Sequence, residues 1–324
     1  MAIVVLLLVV VLSRIPSGYN MLLPSTALSV EPKIYVAGHP VVSGRGQLLM
    51  TFVEERHASL LENIFGRLDP DASFDPLPPN YDEQQNVHVN NLMMLSSEQT
   101  AELVALCYVR YKELCAGGVQ IQKIEPYSKV GSLLKPGDLI VAVNGVAIAT
   151  GDQLRSTLQH YTPGTQLTLS LQRGKATLAV KNVPTVRAPQ SPYGTAFGIA
   201  IADAPLMAIP AHLPIDMKIN AGDIGGPSAG LMFTLGVLNR LSSTDLTHGY
   251  TISGTGTISL DGSVGAIGGV KQKVIGAEWA GAKIFFVPYD GGNYNDAKKV
   301  VGPNMQLVGV HNLQDALSFL HKLR

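Results

Sequence analysis

Three features of this 324-residue chain predict an α+β fold of short mixed sheets with helices packed on them. Runs such as Gln166 to Leu171 alternate apolar and polar residues, the period of a half-buried strand. Other stretches, such as Leu231, Leu235 and Leu238 after a glycine-rich turn, repeat apolar residues at helical spacing. The 33 glycines and 20 prolines are spread along the chain, so elements are short and change type often.

The composition narrows the function. Hydrophobic residues make up 46% and charged residues 15%, enough apolar material for two or three domain cores. The 24 basic and 24 acidic residues cancel, with no basic block and no aromatic-basic interleaving, so nucleic acid is not an expected partner. No Cys-x-x-Cys pair occurs and the histidines are scattered, so neither a metal site nor a cofactor is expected. Cys107 and Cys115, if one helix carries through both, stand about 12 Å apart, too far for a disulfide.

The chain opens on an unbroken aliphatic run, Ala2 to Leu12. Eleven residues of helix reach only about 16 Å against a hydrocarbon core near 30 Å. Nothing basic precedes the run and no small-residue cleavage site follows it, unlike a signal peptide. Residues 1–24 are therefore expected to be a single-pass membrane anchor, its start clipped, with Arg14 snorkelling to the interface.

Residues 25–111 read as an α+β region. Lys33 to Ala37 and Gln47 to Val53 flank a Gly44-Arg45-Gly46 turn and suggest a hairpin. His57 to Leu68 suggests a short helix, ended by the proline clusters at 69–71 and 76–79. Ser97 is placed to cap a helix running to about Tyr111.

From Gly117 the pattern is of short strands. Asn144-Gly145 has hairpin-turn chemistry, and Asp152 to Tyr161 reads as helix. The stretch Lys135-Pro136-Gly137-Asp138-Leu139-Ile140-Val141-Ala142-Val143-Asn144-Gly145 resembles a PDZ domain, over residues 112–186. The resemblance implies a groove between a strand and the helix near 152–161, where an extended peptide adds a strand, with Gly117, Gly118 and Val119 as the peptide-binding residues. Cys115-Ala116-Gly117-Gly118 departs from the aromatic glycine loop usual in such domains.

After a proline-containing linker, 187–192, two glycine-hinged helix starts follow. The first is Gly225-Gly226-Pro227-Ser228-Ala229-Gly230. Pro227 suits the first helical position, and Ser228 falls in the first turn, where free amides and the positive end of the dipole would stabilise an oxyanion. The second is Gly268-Gly269-Val270-Lys271-Gln272-Lys273. Lys271, in the first turn against Val270, Val274 and Ile275, is expected to be a desolvated, neutral base for the Ser228 hydroxyl, and Lys273 a solvated surface residue. Final elements are a strand over 282–287 and a helix over 312–323, capped by Asn312 with Leu313, Ala316, Leu317 and Leu320 inward.

Together, Gly-Pro-Ser-Ala-Gly, Thr255-Gly256 and Gly-Gly-Val-Lys-Gln-Lys over 187–324 resemble the proteolytic domain of Lon proteases, a Ser–Lys dyad family. The resemblance implies Ser228 as nucleophile, Lys271 as base and Thr255 orienting the lysine, with Gly226, Pro227 and Gly269 shaping the site. ATP-dependent Lon has an aspartate where Gly225 stands, and no phosphate-binding Gly-x4-Gly-Lys-Ser/Thr loop occurs in this chain. Gly-Gly-Pro-Ser with membrane and PDZ segments upstream is similar to the membrane-anchored PDZ-containing Lon-like proteases of bacteria (the YlbL type). That implies an endopeptidase acting on protein or peptide substrates, a homo-oligomer, and PDZ and protease domains outside the cytoplasm. Two competing readings are a catalytically silent PDZ/Lon-like peptide-binding scaffold and an α/β-hydrolase-type esterase, in which Gly226 to Gly230 is the nucleophile elbow and Asp261 or Asp290 with His311 completes a triad.

Overall fold

The central sheet of the protein draws its strands from both ends of the sequence. In the computed structural model, which describes residues 2–41, 46–78, 81–109, 117–174, 176–187, 194–205 and 213–323, its order is Leu28–Ser29, Gln47–Met50, Thr251–Gly254, Ile284–Pro288, Gln306–Val310. All pairs but the first are parallel. The expected hairpin over 33–53 is therefore absent. Gln47–Met50 pairs with Thr251–Gly254, and Ile34–Val36 pairs with Met217–Ile219. Each short apolar run is satisfied by a distant partner, and local pattern does not identify that partner.

The helices are α1 (Ala2–Leu12), α2 (Leu60–Phe65), α3 (Glu83–Val109), α4 (Gly151–Leu158), α5 (Gly230–Leu241), α6 (Val270–Trp279), α7 (Asn293–Val300) and α8 (Leu313–Leu320). The expected helix over 57–68 begins later, because Val53–Ser59 is a strand paired with Pro16–Pro24. Ser59 caps α2 in a complete capping box with Glu62. Ser97 is not a cap: α3 starts at Glu83 and runs through it. Asn312 does cap α8, accepting from Asp315 N at 3.0 Å, and the four expected inward residues are buried.

The chain divides into two compact units: residues 1–105, 214–258 and 262–324 form one, and 106–213 with 259–261 the other. Residues 25–111 are therefore not a region apart, since most of them complete the first unit. The second unit, larger than the expected 112–186, interrupts the first in sequence. α5 is the first unit's centre, buried from Gly230 through Arg240.

The second unit has a sheet in the order Ala176–Pro184, Gln166–Arg173, Leu139–Val143, Gly117–Ile124, Ile199–Pro205. Asn144 and Gly145 both have positive φ, 47° and 83°, as the two-residue hairpin turn requires. Asp138 of the Lys-Pro-Gly-Asp motif is 1% exposed and takes a two-pronged ion pair from Arg173 at 2.6 and 2.7 Å. Burial pushes its pKa up, but Arg173 and the Lys135 amide outweigh this and hold it below the ordinary carboxylate value.

Among the described residues no helix is long and apolar enough to cross a membrane. The expected anchor is the 11-residue α1, on which Ile3, Val4, Leu6, Leu7 and Val9 to Val11 are exposed, Ile3 at 75% and Val4 at 69%. The helix expected to run to Tyr111 is described to Val109, Cys107 within it is disulfide-bonded, and residues 110–116 lie outside the described residues. Cys115, Ala116, part of the Gly44–Gly46 turn and the linker after Arg187 lie outside the described residues.

Candidate active site

Ser228 stands in a 3-10 turn, Pro227–Ala229, that runs straight into α5. Gly226 opens the turn at φ 87° and ψ 153°, a conformation that L side chains rarely adopt. Pro227 is in the first turn as expected. α3 fastens this loop from one side: Gly226 N donates to Asn90 O at 2.9 Å, and the buried Ser97 hydroxyl donates to Pro227 O at 3.0 Å. The same helix holds the approach to the loop, with Glu98 and Glu102 accepting from the amides of Ala221 and Ile219 at 2.6 and 2.8 Å. Burial raises the Glu102 pKa, the Ile219 amide opposing it.

On the other side Gly256 N and the Thr255 hydroxyl both donate to Ser228 O, at 2.8 and 3.1 Å. Thr255 is fully buried, and its amide is tied to Phe286 O at 2.9 Å. The loop that carries Ser228 is thus pinned between a helix and the end of a central strand, which fixes the serine before any ligand arrives.

The lysine that meets Ser228 is Lys273, not Lys271. Lys273 Nζ lies 2.7 Å from Ser228 Oγ and 3.4 Å from Thr255 Oγ1. Lys273 is 4% exposed, and burial lowers its pKa from 10.5 to about 7. Lys271 instead points away and donates to Pro70 O, while Gln272 is held by Asp71 O and Ser73. Residues two apart on a helix face about 200° apart, so one lysine of Lys-Gln-Lys reaches the serine and the other cannot. Which one is decided by the apolar stripe: Val270, Val274 and Ala277 are buried, and Lys273 lies in their row. Gly269 sets the helix start with φ 65°, and a Cβ there would come within 2.7 Å of Val53.

Ser228 and Lys273 open onto a cleft of about 800 Å³. The sheet Val53–Ser59, Pro16–Pro24, Ser73–Pro76 lines it, with His57, Asn20 and Asp75 in one row and Glu55 and Leu22 in the next. That volume suits several extended residues of a peptide.

The competing triad is not assembled. His311 Nδ1 lies 3.1 Å from Asp290, but both side chains are more than half exposed, and the His311 ring lies against Tyr289 at a tilt of 42°. The described hydrogen-bond partner of Ser228 Oγ is Lys273. Gly117, Gly118 and Val119 lie on a strand and stand opposite Pro205, Ala204 and Asp203 of this same chain. Among the described residues no cluster of metal-binding side chains occurs.

Residues 208–322 match the Lon protease (S16) C-terminal proteolytic domain, and residues 97–182 match the PDZ domain. Both domains are present in the chain. Similar curated proteins are the Lon protease of Mesomycoplasma hyopneumoniae, 38% identical over 98 residues, 30% of this chain and 11% of that one. The Lon protease of Ureaplasma parvum is 33% identical over 162 residues, 47% and 19% of the two chains. That of Malacoplasma penetrans is 27% identical over 209 residues, 62% and 25%. The chain therefore spans at most a quarter of the length of these relatives. Among solved structures, the PDZ domain of the SdrC-like protein from Listeria monocytogenes aligns at 17% identity with TM-score 0.24, over 26% of this chain and 86% of that one.

Proposed function

We propose that this protein is a serine endopeptidase in which Ser228 is the nucleophile and Lys273 the general base. The observation that carries this is the 2.7 Å contact between Ser228 Oγ and a buried Lys273 Nζ whose pKa is brought to about 7. A neutral amine at that distance takes the hydroxyl proton as Oγ attacks the scissile carbonyl carbon. Backbone amides in the turn at Ser228 stabilise the resulting oxyanion. The intermediate collapses, the C–N bond breaks, and Lys273 returns its proton to the departing amine. Water then attacks the acyl ester, gives its proton to Lys273, and releases the carboxylic acid as Ser228 regains its hydrogen.

The test is a serine-directed peptidyl phosphonate. It is expected to label wild type stoichiometrically and to leave Ser228→Ala and Lys273→Met unlabelled. Failure to label wild type over pH 6 to 9 refutes the reading and favours the silent scaffold.

Thr255 is a positioning residue in this scheme. Its hydroxyl faces Lys273 Nζ while donating to Ser228 O, so it ties base and nucleophile together. Thr255→Val keeps the shape and removes that tie. We expect kcat to fall about 10- to 100-fold, the worth of one or two buried hydrogen bonds, with KM little changed. Steady-state kinetics on one peptide checks this, and Thr255→Ser should restore most of the rate.

We also propose that α1 seats its exposed aliphatic surface in a membrane and that the domains lie outside the cytoplasm. The Cys107 disulfide supports an oxidising compartment.

A further inference from the structure

The cleft that holds Ser228 and Lys273 is bordered by carboxylates that have no cation of their own. They come from four separate elements: Glu55 on the strand Val53–Ser59, Asp75 on Ser73–Pro76, Glu83 at the start of α3, and Asp223 in the loop leading to Ser228. All four residues are exposed, and among the described residues no lysine or arginine forms an ion pair with any of them. The basic side chains at the same cleft are engaged elsewhere. Arg56 binds Glu62 at 2.6 Å, His57 meets Tyr81 edge-on with ring centroids 5.2 Å apart, and Lys273 is the buried partner of Ser228.

Water satisfies an exposed carboxylate, so the acids alone assign nothing. The second observation is Asn20. It stands on the middle strand between His57 and Asp75, lines the cleft, and is only 6% exposed. Its Nδ2 donates to Glu55 Oε1 at 2.5 Å, and because a carboxylate only accepts, that bond fixes which end of the amide faces Glu55. Oδ1 is left buried without a partner. An unpaired buried acceptor costs the fold free energy, and departures of this kind from polar satisfaction gather at functional sites.

We propose that Asn20, Glu55 and Asp75 form a subsite for a cationic side chain of the substrate, so that the protease selects basic segments. The assignment rests on the endopeptidase reading for what the cleft holds. A guanidinium or ammonium group offers several donors and no acceptor, the complement of one amide oxygen and two carboxylates. Glu55 both orients Asn20 and supplies countercharge. Leu22, on the same sheet face as Asn20, gives the methylene stem of such a side chain an apolar surface to lie on. Glu83 and Asp223 extend the negative field, which draws basic segments in and repels acidic ones.

The test walks one arginine through a labelled octapeptide of alternating alanine and serine, blocked at both ends. Each peptide is paired with its citrulline counterpart, which keeps the shape and loses the charge. Binding is read by fluorescence anisotropy on the full chain as Ser228→Ala, so that no peptide is consumed. At the preferred position arginine is expected to bind at least about tenfold tighter than citrulline, the worth of one hydrogen bond to a charged group. Asp75→Asn and Glu55→Gln should each cut that ratio about threefold or more, and Asp75→Lys should bring it to about one or below. The ratio within each variant is the readout, so a general change in affinity cancels. Arginine and citrulline bound alike at every position, no detectable binding of any arginine peptide, or a preference unchanged in all three variants overturns the proposal. If the phosphonate labels wild type and the ratio is one, the peptidase reading stands and the subsite falls. If the ratio is large and the phosphonate fails to label, the subsite stands on a chain that binds basic peptides without cleaving them.

Discussion

Lys273→Met is expected to lower kcat/KM by about 10⁴-fold or more, whereas Lys271→Met leaves it within about twofold. Removing the base from a nucleophile–base pair removes most of what the pair contributes, because an unactivated serine hydroxyl attacks amides poorly. A 10⁴-fold loss is about 5.4 kcal/mol of transition-state stabilisation at 1.36 kcal/mol per decade. Methionine is chosen because it is unbranched and apolar and fills the cavity between Val270 and Val274 without leaving a buried charge. Lys271 donates to Pro70 O in an exposed contact, so its loss affects surface packing and not the serine. Steady-state kinetics on both variants, with thermal melts to confirm folding, decides between the two lysines. Loss of activity in Lys271→Met with Lys273→Met active would return the base to Lys271.

That choice also marks how far the sequence could be read. The serine turn, the glycine hinge at Gly269, Thr255 and the PDZ hairpin at Asn144-Gly145 are local features, and each forms where local chemistry places it. The lysine expected to meet Ser228 stands two residues before the one that does, because closeness to the glycine hinge was weighed above helical phase. Val270, Val274 and Ala277 mark the buried face of α6, and Lys273 is the lysine on it, a pattern present in the sequence alone. Ser97 and Asn90 carried no such signal. They hold the nucleophile loop from more than a hundred positions away, and Ser97 resembled a cap because its serine chemistry suits one. The pairing of Gln47–Met50 with Thr251–Gly254 was equally hidden, since a second unit is inserted in the sequence between them. Long-range β pairing is specified by which apolar faces fit, and a single sequence states only that a face exists.

Burying Lys273 gives the protein a pH dependence in which activity and stability rise together. The folded chain releases this proton at about 7 and the unfolded chain near 10.5. Between those values the unfolded state binds more protons, so unfolding becomes harder as pH rises. Below about 7 the folded protein must carry a buried charge, and that stability is absent. The span of 3.5 pH units corresponds to an upper bound of about 5 kcal/mol at 1.36 kcal/mol per unit. Lys273→Met removes the linkage. The variant should exceed wild type by about 2 to 4 kcal/mol at pH 6, and the gap should narrow steadily toward pH 10. Trp279, the chain's one tryptophan, lies on the same helix as Lys273 and reports denaturant unfolding of that unit. The same proton governs turnover. Wild-type kcat/KM should climb about tenfold per pH unit below 7 and level off above it, as expected for a base that must be neutral in the free enzyme. A stability gap that does not change with pH, or a rate that falls from pH 6 to 9, would mean that Lys273 keeps its proton, and with it that it is not the base. The prediction ties the two measurements to one side chain: the buried amine that costs the fold stability at low pH is the group that makes Ser228 reactive at high pH.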